Sequence, residues 1–238
     1  TRLSMRQILL PNITHIFCNC TAFFKQPSNE ITNRYHRSAR YGKENGDYLF
    51  GVCAIFFMVW TDFLAGSPLP QVYQATLKHR DFIEQSNDIK MQRAFRMLQL
   101  GLLHLMNKKI ENDFLRSADE ELTQSLEYWE AEQFIPGHTW YAIFAGQVNY
   151  LTGGSEQAIH DYTHYGLEKS PVIIMFPLSQ YDFYQCMAEL NNIERVEPQE
   201  QQRRVTHAKK TIAQPEPLTK HCTQNFCTQN WLPKAQQP

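Results

Sequence analysis

The chain has 238 residues, a formal net charge of -1, 42% hydrophobic residues and six cysteines. That length allows one large domain or two small ones around a substantial core, and the near-neutral balance gives no global attraction to nucleic acid or to an acidic bilayer. Six cysteines without a secretory leader fit free thiols in a reducing, cytoplasmic setting better than a disulfide framework.

Arg2 and Arg6 open the chain, but Pro11, Asn12, Thr14 and His15 then break its apolar character, so it makes a poor signal peptide. It begins at Thr1 rather than Met and is expected to be a piece of something longer. A first helix is predicted within Ile13 to Phe24. Pro27 followed by Ser28, Asn29 and Glu30 reads as a stop and a fresh N-cap for a polar helix reaching Tyr41. From Tyr48 to Trp60 everything is apolar except Gly51. Thr61 and Asp62 then interrupt the run, short of the roughly 20 residues a membrane span requires. With apolar residues on nearly every side, this segment predicts a core helix rather than a span.

"GSPLP" turns the chain, and Leu69 to Gln85 is read as one amphipathic helix with Val72, Tyr73, Leu77 and Phe82 inward. Asn87 and Asp88 cap the next helix, "IKMQRAFRMLQLGLLHLM". Asp113 to Glu132 is a charged helix packed through Phe114, Leu115, Leu122, Leu126 and Trp129, with "IPGH" ending it. Then follow Thr139 to Leu151, a "TGGS" turn, Glu156 to Lys169, a break at Ser170-Pro171, a helix from about Pro177 to Leu190, and a polar one from about Pro198 to Ala213. Clean period-2 alternation bounded by turn dipeptides is almost nowhere to be found, so the fold class expected is all-α.

Oily and polar helices alternate across short turns, the pattern of stacked antiparallel helical hairpins. Within "AGQVNYLTGGSEQAIHDYTHYGLEKSP", Gly146, Ala158 and Tyr162 fall where a tetratricopeptide repeat places its small, small and aromatic packing residues, and Pro171 ends the second helix one residue late. Small residues let two helices cross closely, and an aromatic ring one turn on fills the space beside the crossing. Asn149 stands where that repeat has Tyr, with Tyr150 displaced by one.

The order "ENGDYLFGVCAIFF", "FLAGSPLPQV", "WYAIFAGQVNYLTGGSEQAI", "FPLSQYDFYQCMAEL" and "KHCTQNF" resembles the helical-repeat region of large multidomain bacterial signalling proteins. In those proteins a Ser/Thr-kinase-like domain and an AAA-type predicted ATPase precede the repeats. A GAF sensor and then a histidine kinase or diguanylate cyclase follow them. The resemblance implies a cytoplasmic, TPR-like α-solenoid over 1–214 that acts in signal transduction through protein-protein contacts. Its partners would be other domains of the parent or peptide ligands. Pro215, Pro217 and Pro233 depart from the pattern, and a frayed tail is expected over 215–238.

Several stretches approach catalytic motifs and depart from each. "YGKENG" has a Gly-Lys pair but lacks the earlier Gly of a phosphate loop and carries Glu44 where a metal-binding hydroxyl belongs. "HRDFIEQSN" imitates a kinase catalytic loop, yet its Asn arrives one residue late and no "DFG" accompanies it. "GGS" at Gly153 to Ser155 is a hairpin turn without a nucleophile elbow. Cys18 and Cys20 with His15, and Cys222 and Cys227 with His221, supply zinc-type ligands without the paired knuckles of a zinc site, while Cys53 and Cys186 read as small core residues. Arg203, Arg204, His207, Lys209 and Lys210 read as the wet face of a helix.

The expectation is therefore a module that is not itself an enzyme, has no cofactor and binds neither nucleic acid nor metal. Tyr141, Gln147, Tyr150 and His160 are expected to line its binding surface. Two alternatives stay open. His160, His164 and Glu168 share one helix face and form a possible zinc site for a metal-dependent hydrolase, although Asp161 stands where a metalloprotease has its longer Glu. The other alternative is a repeat that senses an inducer or ligand.

Overall fold

The computed structural model of the chain describes residues 5–22, 25–106, 112–165 and 178–213, with side chains placed over 12–22, 25–106, 120–165 and 180–211. Among these residues every regular element is helical and no strand occurs. The chain divides into two compact units, Thr1–Trp129 and Glu130–Pro238. The expected tail over 215–238 lies outside the described residues.

In the first unit, α1 (Met5–Cys20) begins well before the expected Ile13 and runs through Pro11, and α2 (Ser28–Asn45) continues past Tyr41. Its end is set by Gly46, whose φ of 70° is the left-handed conformation that glycine adopts without a Cβ penalty. Helix α3 (Tyr48–Leu64) starts at Asp47, whose carboxylate accepts from the Phe50 amide at 3.2 Å. Gly42 and Gly51 let α2 and α3 approach backbone to backbone: a Cβ at Gly42 would sit 2.6 Å from the Gly51 Cα. Ala54 to Trp60 of α3 are all at most 1% exposed, because the helix packs against α1, α2 and the three helices that follow. Burial of each large side chain here contributes about 1.5–3 kcal/mol. Among the described residues no helix is long and apolar enough to cross a membrane.

The segment expected as one helix from Leu69 to Gln85 is two, α4 (Leu69–Lys78) and α5 (Arg80–Gln85), broken at His79 with φ -105° and ψ 1°. The break has local causes. Thr76, buried, donates its hydroxyl to the Tyr73 carbonyl at 2.7 Å, and the His79 amide turns back to the Thr76 carbonyl three residues earlier. The helical phase is lost there, so Ile83 is buried and Leu77, expected inward, is 39% exposed. Asn87 at φ 54° makes the next turn, and Asp88 caps α6 (Ile89–Leu105) by accepting from the Met91 amide at 3.2 Å. Helix α7 (Asn112–Ala131) packs on α6 through Trp129, whose indole N–H donates to the Lys90 carbonyl at 3.3 Å.

In the second unit "IPGH" does not separate helices but opens one. α8 (Ile135–Leu151) carries Pro136 in its first turn, where a missing N–H costs nothing, and the turn itself falls at Gln133 with φ 51°. Gly153, at φ 89°, turns the chain into α9 (Ser155–Tyr165); α10 (Leu178–Asn191) packs on α8 and α9, and α11 (Pro198–Ala213) on α10. Gly146 of α8 lies under the ring of Tyr162 of α9: a Cβ there would come 2.4 Å from the ring. Ala158 is fully buried beside them, and Tyr181 of α10 donates its hydroxyl to the Tyr162 carbonyl at 2.9 Å. Pro171 lies outside the described residues.

Candidate functional site

The break at His79 and the turn at Asn87 set α4 and α5 at an angle to α6, and the space they leave, closed by α7, is a groove of about 700 Å³ in the first unit. Its base is apolar: Ile83 and Phe95 are each 3% exposed. Leu77 and Ile89 stand on its rim at 39% and 44% exposure. Exposed large aliphatic side chains around a concave surface are what a docking site for an apolar segment requires.

The polar walls are mostly self-satisfied. Arg80 pairs with Glu84 at 2.7 Å, and Arg96 reaches both carboxylate oxygens of Glu121 at 2.9 and 3.1 Å. Gln99, buried, donates to the Thr76 hydroxyl at 3.1 Å, and Gln92 caps α5 by donating to the carbonyls of Ile83 and Glu84. Arg93 is the exception. Its guanidinium lies 4.8 Å from the centre of the Tyr128 ring and donates to the Ser125 hydroxyl at 3.3 Å, while its buried Nε has no acceptor. The sequence offered little sign of this groove, because it exists only once His79 interrupts a pattern that is helical throughout.

The residues expected to form the binding surface lie in the second unit and do not form one open face. Gln147 is 3% exposed, since its position on α8 faces the helices packed there. Tyr141 meets Tyr165 edge-on at 5.1 Å, whereas Tyr150 lies against Tyr184 at 5.7 Å. His160 is open to solvent, and its ring stacks on that of His164 at 5.4 Å. Between them in sequence, Asp161 turns inward and accepts from Asn149 at 2.8 Å and Gln157 at 3.0 Å. Among the described residues no three His, Cys, Asp or Glu side chains converge to hold a metal, and Glu168 lies outside those residues.

The N-terminal histidine is likewise committed. His15 accepts through Nε2 from Asn19 at 3.0 Å, because the Asn19 carbonyl oxygen takes the Tyr35 hydroxyl at 2.7 Å and so turns its NH₂ toward the ring. Burial holds His15 down at about 4, hence neutral, and leaves its Nδ1 proton unpartnered. Cys18 is buried and Cys20 exposed; burial pushes the Cys53 and Cys186 thiols up to about 12. His79 is also held at about 4, by burial and by the nearby Lys43, whose ammonium lies 3.2 Å from Nδ1. The apparent kinase-loop histidine thus stands in a helix break facing a lysine.

The basic cluster on α11 is not simply a wet face. Glu189 of α10, 1% exposed, receives His207 Nδ1 at 2.8 Å and Arg203 at 3.2 Å. Arg204, 8% exposed, donates to the Glu189 backbone carbonyl at 3.3 Å. The hydrogen bond to Glu189 raises His207, and His207 and Arg203 together hold Glu189 below the usual carboxylate range despite its burial. Sequence alone gives no reason to pair Glu189 with His207, since only the packing of α11 on α10 makes them neighbours. No family model, curated protein or solved structure matches the chain.

Proposed function

We propose that the chain is a non-catalytic helical-repeat module, a connector of a bacterial signalling ATPase or kinase, that docks segments of other proteins or of its parent. The groove between α4, α5, α6 and α7 carries this reading: a concave surface of about 700 Å³ with a buried apolar base and exposed aliphatic rims. The tight Gly146–Tyr162 crossing in the second unit supports the TPR-like, stacked-hairpin part of it, as does the open apolar stripe of Ile13, Ile16 and Phe17 on α1. Each helical pair buries only one side against its neighbour, so such an array keeps surface free for partners.

The test is selection of a random dodecapeptide display library on the whole chain and on the double variant Leu77→Asp, Ile89→Asp. Both positions are exposed, so the charges leave the core intact while spoiling the groove rim. Peptides enriched on the native chain and lost on the double variant are the expected result. Absence of enrichment, or equal retention by the variant, would overturn the docking role of this surface.

A further inference from the structure

We infer that the groove takes an apolar segment of a partner protein bearing one acidic side chain, and that Arg93 is the residue that reads it. This rests on the docking role proposed for the groove and narrows it to a ligand class. Three arginines line the groove, and two of them are neutralised in place, Arg80 by Glu84 and Arg96 by Glu121. Among the described residues no carboxylate pairs with Arg93. A guanidinium has five N–H donors, and the protein occupies one of them here, through Ser125. The charge is nevertheless fixed in place by Tyr128 beneath it and Ser125 beside it, so little side-chain freedom remains to be lost on binding.

A positioned guanidinium without a counter-ion, beside the apolar Phe95 and Ile83, is complementary to a carboxylate presented by an apolar segment. With Arg80 and Arg96 paired to Glu84 and Glu121, the groove offers a single net positive charge, which suits one carboxylate better than a polyanion such as nucleic acid or a heavily phosphorylated ligand. One acidic side chain flanked by aliphatic residues satisfies both conditions.

The dodecapeptides recovered from the library test the idea directly. The strongest binder is resynthesised with its acidic residue, with the matching amide, and with phosphoserine at that position. Each is titrated against the native chain, Arg93→Gln and Arg93→Lys. The expected consensus contains an Asp or Glu between aliphatic residues. Changing that acid to the amide is expected to weaken binding at least tenfold on the native chain but less than twofold on Arg93→Gln. Arg93→Lys, which keeps the charge and loses the fork, is expected to fall between them; if Arg93→Gln does not fold, this comparison alone decides. A consensus without an acid, or an amide penalty unchanged when Arg93 is altered, overturns the role of Arg93 and leaves the groove standing. Binding of the phosphoserine peptide more tightly than the carboxylate assigns the site to phosphate and overturns the inference. Recovery of no peptide at all overturns the groove and the inference together.

Discussion

Tyr162 combines two features of opposite energetic sign. Its ring fills the space above Gly146 so closely that a methyl group there would lie 2.4 Å from the ring, and the ring is wholly buried against Tyr181, edge-on at 5.0 Å. Its hydroxyl, however, is buried with no hydrogen-bond partner. Gly146→Ala is therefore expected to destabilise the second unit by about 2–3 kcal/mol, because a large ring held by neighbours has nowhere to go. Tyr162→Phe removes the orphaned hydroxyl and keeps the ring, and is expected to be nearly neutral or stabilising. Urea midpoints of the two variants check both: a tolerated alanine would show that the crossing is loose, and a large loss with phenylalanine would show that the hydroxyl has a partner in solution.

At the scale of elements, glycines act in two distinguishable ways around the α2–α3 turn. Gly42 is required by contact, since an added Cβ would strike the Gly51 Cα at 2.6 Å and the Asp47 carbonyl oxygen at 2.9 Å, both backbone atoms that cannot swing aside. Gly46 is required by conformation alone, with φ 70° and nothing within 4 Å. Gly42→Ala is expected to cost more than Gly46→Ala, for which the left-handed penalty is about 1–2 kcal/mol. Circular dichroism melts compare them, and the reverse order would mean that α2 and α3 slide apart at little cost. Such punctuation is why so much of the helical order was legible: Gly66, Gly153 and Asp88 mark their boundaries by residue type, whereas Gly46, which ends α2, was passed over for Tyr41. The break at His79 was not legible, because a threonine three residues before it is compatible with an unbroken helix, and only the folded chain commits the Thr76 hydroxyl to the Tyr73 carbonyl and the Thr76 carbonyl to the His79 amide. The groove depends on that break and was invisible with it. Gln147 was misplaced for a related reason: periodicity identifies a face of α8 but not which side α9 and α10 cover.

For the chain as a whole, burial lowers His15 and His79 of the first unit whereas Glu189 raises His207 of the second, so the contributions of these histidines to stability should respond to pH with opposite sign. In the first unit, His15 and His79 have folded values near 4 against 6.5 unfolded. The unfolded chain thus binds more protons between those values, and the stabilisation from neutral imidazoles, complete above 6.5, is lost as pH falls toward 4. Each such histidine contributes a slope of at most about 1.4 kcal/mol per pH unit. Asp62, raised by burial, contributes in the opposite direction. In the second unit His207 is raised by Glu189, so its contribution is complete below 6.5 and is lost as pH rises through its folded value. Glu189 is lowered, so its part is complete above the unfolded value of 4.5 and is lost as pH falls below it. Asp182, raised by burial, reinforces the direction set by His207, while Arg203 keeps its charge throughout. Hydrogen exchange, corrected for intrinsic rates, reads the two units separately. Between pH 7 and pH 5, protection of α2 and α3 is expected to fall and that of α10 and α11 to hold or rise. His15→Leu should flatten the first response, and His207→Gln should weaken the second unit at pH 5.5 more than at pH 8.5. A parallel fall in both units, or a His207→Gln penalty that grows with pH, would show that the Glu189–His207 pair does not carry its charge in the folded protein.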